Sequence, residues 1–326
     1  MTGPPDVSVI MSVYNDERWI ESCLNSVLAQ THQNFEFLIV DDASTDGTLA
    51  ALQRFQDPRL SISRHEARSG WMNSINELAQ ASRGRILKLL CADDPLGPRC
   101  LESGIAFYEA NPETTYAFTG FETIDEHGRS TGVVEILDRT CTLSGLTADE
   151  MNLRRGCLSC TSAMFVDRER WLKAGGLRDV TRHNPDRWPT VEDFDLMARL
   201  HHVGPAGYIN EPLSLIRQHS SQVQRHSIGG VLSVEGYLYV LSAMADHLVS
   251  EGVLDRNTAH EIILETVAGT HIPKAISFLR SGQILGMLRI LQRISWYYSL
   301  PTVVAFWMRR YGLPSLQRRL SLRSAS

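Results

Sequence analysis

The sequence predicts an α/β fold: a mostly parallel, Rossmann-like sheet flanked by helices, with a helical C-terminal appendage. Short apolar, β-branched runs alternate with stretches of helical spacing from Val7 to Leu90. Short connections join them, which is the pattern of a parallel sheet with covering helices. From Gly229 onward helical spacing stands alone.

Val7 to Val13 (VSVIMSV) reads as a buried strand. A helix over Glu17 to Gln30 gathers Trp19, Ile20, Cys23, Leu24, Val27 and Leu28 onto one face. Phe35 to Val40 is the second strand and ends at Asp41-Asp42. Ser44-Thr45-Asp46-Gly47 is turn and capping chemistry before a helix over Thr48 to Gln56. Leu60 to Ser63 is a third strand and Gly70 to Ala81 a helix. Ile86 to Leu90 is a fourth strand, running into Cys91-Ala92-Asp93-Asp94. The next stretch is less regular. Leu101 to Ala110 reads as helix, Tyr116 to Thr123 and Cys160 to Val166 as strands, Arg168 to Ala174 and Phe194 to His202 as helices, and Tyr208 to Gln218 as an extended segment. The boundary falls near residue 228, giving a first domain over 1–228 and a basic helical region over 229–326.

Composition removes several classes. Apolar residues are 43% and charged residues 21%, which excludes a disordered, collagen-like or coiled-coil chain. No uncharged apolar run reaches 18 residues, so no transmembrane helix is expected. Met1 to Asp6 lacks the basic and apolar regions of a secretory signal. Six dispersed cysteines make no disulfide framework. Cys157 and Cys160 form one CxxC with no second pair or histidine pair beside it, so both are expected as small buried residues. A reducing, cytoplasmic location follows. The net charge of −5 is uneven: Thr266 to Ser326 holds nine Lys+Arg and no acid, leaving −14 on the remainder. An acidic body without a recognisable module excludes nucleic acid as a partner. The basic tail suits an anionic one.

In open parallel sheets, ligands bind beyond the carboxyl ends of the strands. Three polar clusters stand there: Ser12 to Asn15, Asp41-Asp42 and Asp93-Asp94. Any one of them reads equally as a turn or cap; three at consecutive strand ends converge on one crevice. Adjacent carboxylates repel, and a divalent cation with oxygen ligands relieves the repulsion.

The run from Val7 to Thr48 resembles the opening of the inverting family 2 glycosyltransferases of GT-A fold. The features are a strand ending in Tyr14-Asn15, a strand ending in Asp41-Asp42 before Ser-Thr-Asp-Gly-Thr, then Gly70, Asn76, Gly84 and a strand into Ala92-Asp93-Asp94. The resemblance extends to about Gln222. It implies a nucleotide-binding half over about 1–95, an acceptor half over about 96–228, and a nucleotide-diphospho-sugar donor. It also implies Mn²⁺ or Mg²⁺ and a saccharide or lipid-linked acceptor. By the same resemblance Asp42 bonds the nucleotide base, Ser12, Tyr14 and Gly70 line base and ribose, and Asp93 contacts ribose or metal. Asp94 and His219 join the metal, Arg217 pairs with phosphate, and Asp193, with Glu192 as alternate, takes the acceptor proton. The Asp-x-Asp motif of the family falls on Cys91-Ala92-Asp93, so its first carboxylate is absent. A loop over Arg217 to Ser227 is expected to close over the donor. Trp188 is either a sugar-stacking ring or core.

The last hundred residues lie outside the resemblance. Trp296-Tyr297-Tyr298 and Phe306-Trp307-Met308 stand among Arg289, Arg293, Arg309 and Arg310, a composition that suits peripheral contact with an inner membrane face, packing on the body, or a homodimer. Two rival functions remain. A sugar nucleotidyltransferase needs a glycine-rich loop after the first strand, where Ser12 to Asp16 has no glycine. A non-catalytic sugar-nucleotide-binding scaffold is suggested by Cys91 and opposed by Glu192-Asp193.

Overall fold

The computed structural model describes residues 3–155, 157, 159–181, 191–219, 227–280 and 284–308. The chain divides into two compact units. The first comprises Met1–Ala148, Cys157–Asp179 and Pro185–Gln222; the second comprises Asp149–Gly156, Val180–Asn184 and Val223–Ser326.

The first unit is built on one nine-stranded mixed sheet. Strands β1 (Val7–Val13), β2 (Phe35–Asp41), β3 (Leu60–Arg64) and β4 (Ile86–Leu89) lie parallel in the order β3-β2-β1-β4. Helices α1 (Ile20–Leu28), α2 (Thr48–Leu52) and α3 (Trp71–Ala81) connect them. After α4 (Cys100–Ala110), β5 (Tyr116–Ile124) forms a hairpin with β6 (Ser130–Val134), followed by β7 (Cys141–Leu143) and α5 (Gly145–Arg155). Strand β8 (Met164–Asp167) inserts antiparallel between β4 and β5. Helices α6 (Arg168–Lys173) and α7 (Glu192–His201) precede β9 (Ala206–Arg217), which runs parallel to β5 and antiparallel to β7. The chain leaves β1 toward β2 and β3, then returns to β4 on the other side. That reversal opens a crevice at the carboxyl ends of β1, β2 and β4.

The core follows from the apolar runs. Val7, Val9, Met11 and Val13 face Ile20, Cys23, Leu24 and Val27 of α1 and Phe35, Phe37 and Ile39 of β2, all buried. Helix α1 starts three residues later than its periodicity suggests. The Asp16 carbonyl accepts the amides of Trp19 and Ile20 in a tight turn first. The expected strand over Cys160 to Val166 is shorter than its β-branched content suggests. Thr161–Ala163 is a 3₁₀ turn and only Met164–Asp167 joins the sheet, because Thr161 and Ser162 spend their polar groups on side chains of the site. Strands β6 and β7 and helix α5 carry little apolar alternation. β6 is exposed at four of five positions, so the sequence gives no period to read.

The second unit is helical: α8 (Ser227–Ser250), α9 (Arg256–Arg280), α10 (Ile284–Tyr297) and α11 (Leu300–Trp307). Val234, Leu238, Leu241, Leu248, Val267, Ile290, Ile294 and Val303 form its buried interior. Asp149 and Leu153 belong here as well, bonded to His247 at 2.7 Å and Thr266 at 3.3 Å. Among the described residues no helix is long and apolar enough to cross a membrane.

Candidate active site

The loops after β1 and β2 are laced to each other. Asn15 takes a left-handed conformation with φ 56°; its amide donates to Ser44 Oγ at 3.0 Å and its Oδ1 accepts from the Thr45 amide at 2.8 Å. The Asp16 amide donates to Thr48 Oγ1 at 2.8 Å, and the Gly47 amide donates to Glu17 Oε2 at 2.6 Å. The Ser-Thr-Asp-Gly-Thr run therefore shapes the crevice floor. Ser12, on β1, pairs across to Val40 in the last turn of the ladder, and the Tyr14 ring lies 4.2 Å beneath the Arg68 guanidinium.

Asp42 is 2% exposed. Its carboxylate accepts from His65 Nδ1 at 2.8 Å, the Ser69 amide at 2.7 Å and the Gly70 amide at 2.8 Å. Burial opposes ionisation, but these three donors outweigh it and hold the pKa below the usual carboxylate range. The same bonds from Asp42 and its neighbour Glu77 raise the pKa of His65. Gly70 adopts φ 91°, a conformation side chains avoid, and opens α3 from there. Asp42 and Gly70 thus form one group. Of about four acceptor positions on a carboxylate, one remains for a ligand.

Beyond β4 the chain gathers Cys91, Asp93 and Asp94, whose sulfur and oxygens lie within 4.8 Å of one another. Asp94 is 6% exposed. Its Oδ2 accepts from Ser162 Oγ at 2.7 Å and its Oδ1 from the Arg217 amide at 2.8 Å. Burial, with Asp93 beside it, pushes Asp94 up to about 8. Asp93 engages one oxygen with His219 Nε2 at 3.0 Å and keeps 19% of its side chain exposed. Arg217 lies over the Trp19 ring at 4.4 Å and donates to the carbonyls of Asp93 at 3.0 Å and Asp125 at 3.1 Å. His219 packs on Trp19, with 5.6 Å between ring centroids. Sequence reasoning missed Asp16. Burial and the nearby charge of Asp93 push it up to about 7, and its place directly after Tyr14-Asn15 was the available signal. Crowded carboxylates of raised pKa beside an imidazole fit a divalent cation held by oxygen and nitrogen. Asp94 already holds two protein donors, so Asp93 and His219 are the more available ligands.

Asp193 lies in the first turn of α7, half-buried. Its Oδ1 accepts from the Phe194 amide at 2.8 Å and its Oδ2 from Thr161 Oγ1 at 3.2 Å. Burial raises its pKa against those two bonds. Glu192 beside it is 2% exposed. Asp195 is bound bidentately by Arg178 at 2.9 Å and by Arg199 at 2.8 Å. Thr161 and Ser162 are consecutive, so one turn touches both Asp193 and Asp94. Cys157 and Cys160 are free thiols, Cys157 donating to the Ser159 carbonyl at 3.2 Å. Trp188 and most of the expected closing loop, residues 220–226, lie outside the described residues.

Residues 8–154 match the family model Glycosyl transferase family 2. The Bacillus subtilis protein EpsE, named as a glycosyltransferase, is 28% identical over 248 residues, covering 74% of this chain and 83% of its own length. TuaG of the same organism, named for teichuronic acid biosynthesis, is 33% identical over 168 residues, covering 51% of this chain and 63% of its own length. In structure, the chain is similar to S. aureus TarS 1-349 in complex with UDP-GlcNAc. The TM-score is 0.69 at 15% identity, over 97% of this chain and 92% of that one. That likeness is one of fold, and it is the GT-A sheet that the element order describes.

Proposed function

We infer, for a chain that belongs to glycosyl transferase family 2 through its residues 8–154, that it moves a sugar from a nucleoside-diphosphate donor, UDP or dTDP, to an acceptor hydroxyl with inversion. The observation that carries this reading is the joining of two carboxylate groups by one turn. The Asp93-Asp94-His219 cluster stands at the carboxyl end of β4, and Asp193 is tied to it through Thr161 and Ser162.

Asp93, Asp94 and His219 would hold Mn²⁺ or Mg²⁺. Such an ion, when bound, offsets the charge on the departing nucleoside diphosphate. Asp42 has an acceptor position left for the imide N–H of uracil or thymine, and Ser12, Tyr14 and Gly70 border the same loop ends. Arg217 spends its guanidinium on two carbonyls and the Trp19 face. We assign it to holding the loop of Asp93 rather than to phosphate. Asp193 accepts the proton of the acceptor hydroxyl during attack, the step a weak oxygen nucleophile needs. Its raised pKa makes it a stronger base than a solvated aspartate. We place the product among surface polysaccharides or glycoconjugates. We place the enzyme in the cytoplasm, with the basic C-terminal region meeting the inner membrane face or a second copy.

The test is calorimetric titration of UDP, dTDP and GDP, each with and without Mn²⁺, followed by turnover with donors of the nucleotide that binds. Mn²⁺-dependent binding of UDP or dTDP is expected. Absence of binding to all three overturns the reading in favour of a chain that keeps the fold without its donor chemistry.

A further inference from the structure

Lys88 is the one lysine among the fully buried side chains of the first unit, 0% exposed in the middle of β4. Strand β4 faces β1 on one side and β8 on the other, and a methionine or leucine would satisfy that position by packing alone. The side chain reaches the turn that precedes β8. Its Nζ donates to the Ser162 carbonyl, lies 3.4 Å from Ser214 Oγ, and stands 4.6 Å from the centroid of the Phe165 ring. Ser214 Oγ donates to the same Ser162 carbonyl. The hydroxyl of Ser162 accepts from the Cys91 amide at 3.0 Å and donates to Asp94 at 2.7 Å. One residue earlier, Thr161 donates to Asp193 at 3.2 Å. The amine donates an N–H to the carbonyl whether or not it carries the extra proton. The anchor therefore persists although burial pushes the Lys88 pKa down.

We propose that Lys88 is a positioning residue: it pins the Thr161–Ala163 turn, and through the two hydroxyls of that turn it sets both the donor-side carboxylate Asp94 and the acceptor-side carboxylate Asp193. The proposal rests on the transferase reading above, and it adds that one buried anchor fixes the spacing between the two sides of the reaction. The turn has no side-chain cap of its own and breaks what would otherwise be a longer β8. Its Ser162 carbonyl is held from outside, by Lys88 and Ser214 together. Supporting partners of metal ligands, when removed, cost about 10–100-fold in metal affinity or activity. A misplacement of about 1 Å at a reacting group costs up to about 100-fold in rate.

The experiment compares Lys88→Met, Ser162→Ala and Thr161→Val with the parent. The readouts are Mn²⁺-dependent UDP binding, kcat for transfer, and amide hydrogen exchange. Ser162→Ala should weaken Mn²⁺-dependent UDP binding by about 10-fold or more while sparing the acid limb of the rate profile. Thr161→Val should lower kcat and move that limb while leaving UDP binding unchanged. Lys88→Met should do both, and should speed exchange of the Cys91, Ala163 and Arg217 amides while leaving those of the β1–β2 ladder protected. A folded Lys88→Met protein with parental binding, kcat and exchange overturns the proposal. If Lys88→Met does not fold, the two hydroxyl variants decide: loss of the split between binding and rate overturns it. The exchange readout needs no substrate. A parent that binds no nucleotide while Lys88→Met still loosens the turn therefore defeats the transferase reading and leaves the anchor standing.

Discussion

Replacing Asp193 by asparagine isolates the proposed proton acceptor. The amide oxygen can keep the Phe194 amide bond of 2.8 Å, and the Thr161 hydroxyl at 3.2 Å can rotate to accept where it formerly donated. The shape of the α7 start is therefore retained and only basicity is lost. General-base catalysis contributes about 10²–10⁴ in rate, equivalent to about 3–5 kcal/mol of transition-state stabilisation at 1.36 kcal/mol per decade. Transfer by Asp193→Asn should fall by that factor, while calorimetric UDP binding in Mn²⁺ stays within about twofold, since the residue touches no donor-side ligand directly. The pH profile adds a second check. The base must be deprotonated to act, and burial raises its pKa. The parental rate should therefore climb with pH through a midpoint above the ordinary aspartate value and level off beyond it. Asp193→Asn should lack that limb. A variant that transfers at the parental rate, or one that keeps the same acid limb, would refute the assignment and move attention to Glu192.

Four further outcomes follow from the packing. Asp195→Ala removes the partner of Arg178 and Arg199 and should cost about 1.5–3 kcal/mol by thermal or urea unfolding, since the half-exposed Arg178 regains water, with transfer per folded molecule largely kept, unlike Asp193→Asn. Gly84→Ala would place a Cβ 2.6 Å from the Ser8 amide nitrogen and 2.7 Å from the Val7 carbonyl carbon. Strand backbone cannot give way there, so a loss of about 1–3 kcal/mol is expected in the same unfolding assay. His65→Phe removes a donor from Asp42. The His65 pKa is raised in the fold, so its contribution is complete below the ordinary histidine value and fades as pH rises through the raised one. The drop in Tm should be larger at pH 6 than at pH 9. Cys91→Asp places a third carboxylate beside Asp93 and Asp94, so the Tm difference between Mn²⁺ and EDTA should widen relative to the parent.

Much of this was legible in the residues, for stated reasons. The strands β1 to β4 were readable because each is a short, mostly apolar or β-branched run, whose polar members such as Ser8, Glu36, Ser61 and Lys88 stand singly between apolar neighbours. The crevice was readable because polar clusters stop those runs at one end. What escaped was of two kinds. Strands β6 and β7 lie on the solvent side and need no apolar period, so nothing in their sequence marks them. The partners of the site residues come from afar: Ser162 reaches Asp94 across 68 positions and Arg217 reaches it across 123, and no local pattern encodes such a meeting. The resemblance identified Asp42 and Arg217 as ligand contacts. The fold shows Arg217 donating to two loop carbonyls, while Asp42 accepts from His65 and the start of α3 and keeps one acceptor position.

The same residue type divides into two roles here, and the dividing factor is electrostatic. Asp195 and Asp193 share one helical turn, yet Asp195 faces two guanidiniums while Asp193 meets a hydroxyl and an amide. Asp42 has a histidine and two amides, whereas Asp94 has a hydroxyl, one amide and a second carboxylate alongside. Asp42, matched by three protein donors, is held below the ordinary carboxylate range. Asp16, Asp94 and Asp193 are pushed upward in pKa chiefly by burial, and a cation beside Asp94 and an acceptor hydroxyl beside Asp193 would complete them. Sites that carry out chemistry concentrate such uncompensated groups. On that physical ground, beyond any likeness to relatives, the carboxyl end of β4 and the start of α7 are where the reaction is assigned.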